Sequence, residues 1–181
     1  MTTHKSGTRK LRKKVASSDA GAILVETMVA LAIVLVGMAG LLAMDGIATN
    51  FTENYGHLSA STAEYAQDKM EQLLVLSYGD VISDTRVFPS GASGGSGLAQ
   101  GGSSNPAAPA ANYVDYLDVN GNLLASSGTT APTGWYFKRV WAVSVPSTNL
   151  KQITVTVTVA LAFGRMKPPQ STMVALKTFP F

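Results

Sequence analysis

The stretch Ala22–Met44, AILVETMVALAIVLVGMAGLLAM, decides the fold because its 23 residues include a single charged one, Glu26. As a helix rising about 1.5 Å per residue it would be ~34 Å long, enough to cross a bilayer core of ~30 Å. Six basic residues precede it: Lys5, Arg9, Lys10, Arg12, Lys13 and Lys14. This charge asymmetry predicts a cytoplasmic N-terminus, with the residues after Met44 on the other side of the membrane.

A cleavable secretory signal peptide is the main alternative explanation of a basic start followed by an apolar run. Such a signal has an apolar region of about 7–15 residues and a small-residue cleavage site after it. Here the apolar run is longer, and the small residues Ala20 and Gly21 come before it. The order therefore favours a membrane-spanning helix.

Composition excludes several classes of function. Beyond residue 20 the chain has eight basic and ten acidic residues, so we expect no nucleic-acid partner. The absence of cysteine excludes disulfides, thiolate zinc sites and cysteine nucleophiles. His4 and His57 are the only histidines, too few for a histidine metal cluster. We expect no cofactor, no bound metal and no enzymatic activity.

The junction between the basic leader and the apolar run carries a recognisable pattern. Gly21-Ala22-Ile23-Leu24-Val25-Glu26, with about 18 apolar residues after it, resembles the class III signal of type IV prepilins. The stretch AQDKMEQLLVLSYGD (residues 66–80) adds to this resemblance. No proline lies between Ala22 and Tyr78, and the run VALAIVLVGMAGLLAM (residues 29–44) resembles that of the PilV-type minor pilins and the related minor pseudopilins.

The resemblance implies specific roles for residues at this junction. A prepilin peptidase would cut between Gly21 and Ala22 and methylate the new N-terminus at Ala22, and Glu26 would act in assembly. The membrane-spanning part, which becomes the filament core, would include Met28, Leu31, Val34, Leu35, Gly37, Gly40 and Leu41.

Glu26 is informative on physical grounds as well. A carboxylate near the centre of a spanning helix costs about 2.5–3.5 kcal/mol, and such charges usually mark function. One interpretation is that Glu26, near the start of the apolar run, simply reaches the lipid headgroups. The other is that it pairs with a cation in the assembled state.

The organisation expected from the sequence has three parts. Residues 1–21 form a leader that is removed, 22–78 a long helix with 22–44 in the membrane, and 79–181 a β-rich globular region. The helix is amphipathic beyond the membrane, and Glu64, Asp68, Lys69 and Glu71 are interpreted as its solvated face.

Residues 89–112, PSGASGGSGLAQGGSSNPAAPAAN, have a composition that predicts a mobile exposed loop. Ser93 lies in a match to the G-x-S-x-G motif, but the strand and helix which that motif requires are not predicted around it. A catalytic serine is therefore not expected here.

After this loop the apolar period changes to two, which is typical of strands. Strands are predicted at Tyr113–Leu117, Trp135–Val145, Gln152–Phe163 and Thr172–Thr178, in an antiparallel sheet with one buried face. Asp118, Asn120 and Asn122 are interpreted as a turn rather than a calcium site. Lys138 and Arg139 are interpreted as surface residues. Four aromatic residues are expected in the core: Trp135, Phe137, Trp141 and Phe163.

These features predict an α+β fold in which a long N-terminal helix packs on a small antiparallel sheet. The expected function is that of a minor pilin in the bacterial inner membrane and then in an extracellular type IV pilus, where it primes assembly or modifies surface and adhesive properties. Expected partners are other pilin subunits, the prepilin peptidase, the inner-membrane assembly machinery and, before assembly, the lipid bilayer. The alternatives are a minor pseudopilin of a type II secretion system and a single-pass membrane-anchored binding domain.

Overall fold

The computed structural model describes residues 16–124, 128–160 and 167–179, with side chains from Gly21 onward. Over these residues one helix, α1 (Ala16–Val75), is followed by six strands. The strands are β1 (Gly101–Gly102), β2 (Val114–Leu117), β3 (Leu123–Leu124), β4 (Phe137–Ser147), β5 (Leu150–Val159) and β6 (Gln170–Thr178). The α+β arrangement predicted from the sequence is confirmed.

Helix α1 differs from its predicted bounds at both ends, beginning at Ala16 instead of Ala22 and ending at Val75 instead of Tyr78. The described helix therefore includes residues 16–21, which the sequence predicts to belong to the leader. At the other end of the helix, two lysines of the sheet donate hydrogen bonds to backbone carbonyl oxygens. Lys177 Nζ lies 2.6 Å from the Leu74 oxygen, and Lys151 Nζ lies 2.7 Å from the Tyr78 oxygen.

The chain separates into two compact units, Met1–Thr52 and Glu53–Phe181, and the division falls within α1. The described part of the first unit is helical throughout and every residue from Gly21 to Thr52 is exposed. The second unit contains the remainder of α1 and the whole sheet.

The sheet is antiparallel, with strand order β3-β2-β4-β5-β6. The short strand β1 pairs with β4 at Ala142 and Val143, beyond the part of β4 that pairs with β2. The pairing of β4 with β5 shifts register between Ser144 and Ser147, where Pro146 has no N–H to contribute. The four predicted strands are present, but their ends differ from the predicted ones. Strand β4 begins at Phe137 rather than Trp135 and β5 ends at Val159, while residues 161–163 of the predicted third strand lie outside the described residues.

The main core forms between α1 and one face of the sheet, where apolar residues of β4 and β5 alternate as the sequence predicts. Its buried members include Leu58, Ala66, Met70, Leu73, Phe137, Trp141, Val143, Ile153, Val155, Val157 and Val159. The opposite face was expected to be solvated but carries a second, smaller cluster of Val114, Tyr116 and Val140. Trp135 and Leu124 pack against this cluster, so both faces are partly covered.

The segment 89–112 is not the loosely exposed loop that its composition predicts. Leu98 is fully buried in the main core, and its carbonyl oxygen accepts a hydrogen bond from Lys151 Nζ at 2.7 Å. Gly102 has φ +85°, and a Cβ there would collide with the backbone oxygen of Trp141 and the ring of Tyr113. The glycine therefore allows β1 to approach β4 closely, which a composition argument does not detect.

Candidate functional site

The apolar half of α1 exposes its side chains on all sides. From Ile23 to Met44 the large apolar residues are between 54% and 75% exposed. In the described residues, one helix is long and apolar enough to cross a membrane, with a mean hydropathy of 2.4 over its most apolar window. The predicted core residues Met28, Leu31, Val34, Leu35 and Leu41 all belong to this exposed set.

Three polar side chains in and beside this segment donate hydrogen bonds to backbone carbonyl oxygens of the same helix. Thr27 Oγ1 donates to the Leu24 oxygen at 2.9 Å, Asn50 Nδ2 to the Gly46 oxygen at 2.8 Å, and Thr52 Oγ1 to the Ala48 oxygen at 2.9 Å. Because lipid offers no hydrogen bonds, such internal pairing is what a spanning helix requires.

Gly21, Ala22 and Glu26 lie on this same exposed helix. Among the described residues, no cationic side chain lies within ion-pair distance of Glu26. Between Glu26 and Asp45 there are 18 residues without a charge, roughly 27 Å of helix. The structure therefore presents Glu26 as a charge at the border of an uncharged stretch about as long as a bilayer core is thick.

Gly37 and Gly40 lie in this uncharged stretch, three residues apart. A Cβ at either position would meet nothing within 4 Å, so the described fold does not itself require glycine there. Glycine costs a helix roughly 1 kcal/mol relative to alanine. Small residues at helical spacing favour contacts between helices of different molecules, because they let the helix backbones approach closely.

The second unit contains a buried group of charges that joins α1 to the sheet. Lys69 Nζ donates to Asp115 Oδ2 at 2.7 Å and to the carbonyl oxygen of Thr85. Arg139 donates to both oxygens of Asp115, at 2.7 and 3.0 Å, and to Asp68 Oδ2 at 2.8 Å. The side chains of Lys69, Asp115 and Arg139 are at most 3% exposed.

This charge cluster (Lys69, Asp68, Asp115 and Arg139) corrects two predictions. Lys69 was assigned to a solvated helix face and Arg139 to the surface, yet both are buried. The burial of Lys69 could have been predicted from its spacing. Thr62, Ala66, Lys69 and Leu73 lie on one helix face at intervals of 4, 3 and 4 residues. All four are fully buried. For Arg139 the indication of burial in the sequence was weaker, because it rests on the strand face that Arg139 shares with Phe137 and Trp141.

The pKa values in the charge cluster follow from burial and mutual charge. Burial lowers the pKa of Lys69 to about 8, although Asp115 acts in the opposite direction. Burial alone would raise the pKa of Asp115, but the charges of Arg139 and Lys69 outweigh it and hold this pKa below its ordinary value. Asp115 therefore stays ionised and is a poor candidate for a general acid.

The cluster is suited to holding the fold together rather than to catalysis. Its two cations and two carboxylates balance in charge, and the Lys69 ammonium also lies 4.1 Å from the centre of the Trp141 ring. Only Asp68, with its side chain 54% exposed, is open to solvent. The side chains of the other three members are shielded from solvent.

The other candidate sites have structural explanations. Ser93 is exposed on irregular chain, with neither the strand nor the helix that the nucleophile motif needs. Asp118 Oδ1 accepts the N–H groups of Asn120 and Asn122 at 2.8 Å, and Gly121 has φ +82°, which supports the turn interpretation. Across residues 16–124, 128–160 and 167–179 there is no group of three His, Cys, Asp or Glu placed to hold a metal ion.

The predicted aromatic core is confirmed for Phe137 and Trp141, which are buried. Trp135 packs edge-on against Tyr116 at 5.8 Å on the other face of the sheet, and Phe163 lies outside the described residues. Lys138 and Arg139 point to opposite faces, as expected, and Lys138 Nζ lies 5.1 Å from the centre of the Trp135 ring.

The chain was also compared with protein-family models, with curated proteins and with solved structures, and none of these comparisons found a match.

Proposed function

We propose that this chain is a minor pilin, held in the bacterial inner membrane by Ala22–Met44 and assembled through the same helix into a type IV pilus. Its processing enzyme would be a prepilin peptidase that cuts between Gly21 and Ala22 and methylates Ala22. The observation that supports this function best is one carboxylate, Glu26, five residues after Gly21 on an apolar helix with no covering in the described chain.

The exposed helix needs an apolar environment. Burying one large aliphatic side chain is worth about 1.5–3 kcal/mol, and the segment from Ile23 to Met44 exposes fourteen large apolar residues. Lipid would cover them before assembly, and the helices of neighbouring subunits would cover them in the filament. Gly37 and Gly40 fit the second environment, because each leaves open space for a neighbouring backbone.

Glu26 gives the assembly step its specificity. Inside a bundle of apolar helices an isolated carboxylate is strongly disfavoured unless a cation pairs with it. Cleavage after Gly21 creates such a cation, the α-amino group of Ala22. Pairing between Glu26 and the amine of a neighbouring subunit would neutralise both charges and set the axial register of the two helices. Cleavage is then a condition for assembly.

The decisive experiment replaces Glu26 with leucine in the full chain. We expect Glu26→Leu to be expressed, inserted and cleaved after Gly21, but to enter sheared surface filaments at least tenfold less than the wild type. Glu53→Leu is the matched control, because Glu53 is an exposed carboxylate on the same helix, outside the uncharged stretch. N-terminal sequencing and quantitative mass spectrometry of membrane and filament fractions provide the readout.

Two results would contradict the proposal. Surface protein that still begins at Met1 would contradict cleavage after Gly21. Processed Glu26→Leu protein at the wild-type ratio to the major subunit would remove the pairing role. A simple membrane anchor should lose nothing from this change, since leucine inserts more favourably than glutamate. Whether the protein is found in pili or in type II secretion pseudopili distinguishes a minor pilin from a minor pseudopilin.

A further inference from the structure

An open groove of about 420 Å³ lies between the last turns of α1 and the loop that follows the helix. Its lining includes two carboxylates and four apolar residues: Asp68, Glu71, Val75, Leu76, Phe88 and Pro89. Val75 is 86% and Phe88 is 68% exposed, whereas Leu76 also packs against the main core. All of these residues belong to the second unit. The groove is therefore independent of how the apolar part of α1 is covered.

The loop that carries Phe88, residues 84–91, is held in place by several hydrogen bonds. Two backbone hydrogen bonds of 2.9 Å join its ends. The Arg86 guanidinium donates to both carboxylate oxygens of Asp84, at 2.8 and 2.9 Å. Lys69 of α1 donates to a backbone oxygen of the same loop and so ties it to the helix. Phe88 is therefore an exposed aromatic side chain on an ordered loop, and a partner that binds it pays little ordering entropy.

One carboxylate of the groove has no counterion in the described chain. Asp68 accepts a hydrogen bond from Arg139 at 2.8 Å and belongs to the charge cluster, in which the charges balance. Glu71 lies three residues further along α1 and accepts a hydrogen bond from the uncharged Gln67 at 2.9 Å. Among the residues that the structure describes, no cationic side chain lies within ion-pair distance of Glu71. The groove thus combines exposed apolar surface with one negative charge that a partner can neutralise.

We propose that this groove binds an arginine side chain of a different protein, presented between apolar residues. A guanidinium has the charge and the fork geometry to pair with the Glu71 carboxylate. Its planar face stacks well on an aromatic ring such as that of Phe88. The aliphatic stem of the arginine and its apolar neighbours would cover Val75 and Leu76. Arginine and aromatic side chains are typical of the few residues that carry most of the binding energy in protein interfaces.

The partner is a different protein because this chain does not offer a suitable arginine. Both arginines in the described part of the chain are already paired. Arg86 donates to Asp84, and the buried Arg139 donates to Asp115. A second copy would have to break one of these pairs to fill the groove. The inference does not rest on the proposed function, because it concerns surface residues of the second unit alone.

Two capped peptides test the charge requirement: Ala-Leu-Arg-Leu-Ala, and the same peptide with citrulline, which keeps the shape of arginine without its charge. Each is titrated into the full-length protein in neutral detergent, and the NMR signals of labelled valine methyl groups are followed. We expect the signal of Val75 to report at least about fivefold tighter binding of the arginine peptide. Val174 is the control for uptake of peptide by the micelle, because it is 58% exposed on β6 and does not line the groove.

Three variants assign the binding to the groove. Glu71→Gln should abolish the preference, so that the two peptides bind within about twofold of each other. Glu64→Gln is the matched control, because Glu64 is an exposed carboxylate on the same helix that does not line the groove, and it should keep the preference. Phe88→Ala should weaken the binding of both peptides, because it removes the aromatic surface.

Several results would overturn the proposal. Equal affinities of the two peptides for the wild type, no saturable shift of Val75 at millimolar peptide, or a preference that survives Glu71→Gln would each do so. Shifts as large at Val174 as at Val75 would mean uptake by the micelle, and a Phe88→Ala protein that binds like the wild type would exclude the aromatic contact. If unlabelled wild-type protein shifts Val75 in a saturable way, the occupant is a second copy of this chain and the proposal is wrong.

Discussion

Two stretches of one helix behave differently in this protein. From Gly21 to Thr52 every residue of α1 is exposed, whereas from Leu58 to Leu73 one face is buried against the sheet. Both stretches are regular α-helix, so backbone propensity does not distinguish them. The difference lies in what the chain supplies as a partner: the sheet covers the second stretch, and nothing in the described chain covers the first. Under the proposed function, lipid and then neighbouring subunits would cover the first stretch, whose apolar residues lie on all sides.

The charges of the two stretches show the same contrast. Lys69 is buried and has an internal counterion in Asp115. Glu26 is exposed, and no cation of the described chain pairs with it. Under the proposed function, Glu26 would find its counterion in another subunit, whereas Lys69 has one inside its own chain.

The largest expected effect comes from removing the internal counterion. Asp115→Ala leaves Lys69 and Arg139 buried without their shared carboxylate, and we expect the free energy of unfolding to fall by about 3–5 kcal/mol. The exposed helix residue Glu71 is the matched control, and Glu71→Ala should change this free energy by less than about 0.5 kcal/mol. Urea unfolding of the full chain in detergent, followed by tryptophan fluorescence, measures both. The probe is specific, because Trp135 and Trp141 both lie in the second unit. An Asp115→Ala protein as stable as the Glu71→Ala protein would show that the charge cluster does not hold α1 to the sheet.

The same substitution in both stretches separates their environments directly. Leu73 is fully buried and Leu35 is 61% exposed. We expect Leu73→Ala to lower the free energy of unfolding of the second unit by about 2–5 kcal/mol, because it leaves a cavity. Leu35→Ala should change it by less than about 0.5 kcal/mol. The same fluorescence titration compares them. Equal losses at the two positions would mean that the first stretch also packs on the folded unit.

A smaller effect is expected from pH. The pKa of Asp115 is held below its ordinary value, so its contribution to stability is present above about pH 4 and is lost as the pH falls further. Lys69 affects the free energy of unfolding in the alkaline range, because burial lowers its pKa to about 8. Between that value and about 10.4 the unfolded chain binds more protons than the folded one, so the free energy of unfolding rises with pH.

The control for the alkaline limb is a second lysine. Burial also lowers the pKa of Lys138, but this side chain is only half-buried. Lys69→Met should therefore reduce the alkaline rise more than Lys138→Met does, in urea titrations between pH 7 and pH 10.5. If Lys138→Met reduces the rise by the same amount, the alkaline rise does not belong to the charge cluster.

Local pattern was sufficient for much of the fold. The apolar run of Ala22–Met44 and the alternation of β5 predicted a helix and a strand, because both signals lie in adjacent residues. The burial of Lys69 and Arg139 was missed, because it depends on Asp115, which is 46 residues from one and 24 from the other. The order in 89–112 was missed for a similar reason: Leu98 and Gly102 are fixed by Lys151 and β4, not by their neighbours in sequence.

One part of the candidate site could likewise be predicted from the sequence and another part could not. The exposure of the predicted filament-core residues follows from composition, since the chain has no second apolar segment to cover them. The roles proposed for Gly21 and Ala22 would depend on recognition by another protein, and a Cβ at Gly21 would meet nothing within 4 Å in the described chain.

The hydrogen bond between Thr62 and Ser171 joins residues 109 positions apart, and the one from Lys177 to Leu74 joins residues 103 apart. During synthesis, helix α1 is therefore complete long before its covering strand exists. At about 5–20 residues per second the interval is roughly 5–20 s. Throughout that time the stripe from Leu58 to Leu73 faces solvent or other nascent chains. Lys69, with its charge still hydrated, makes this stripe less adhesive than an all-aliphatic one. The residue that is fully buried in the finished protein is thus, before the sheet exists, a hydrated charge on an otherwise mostly apolar helix face.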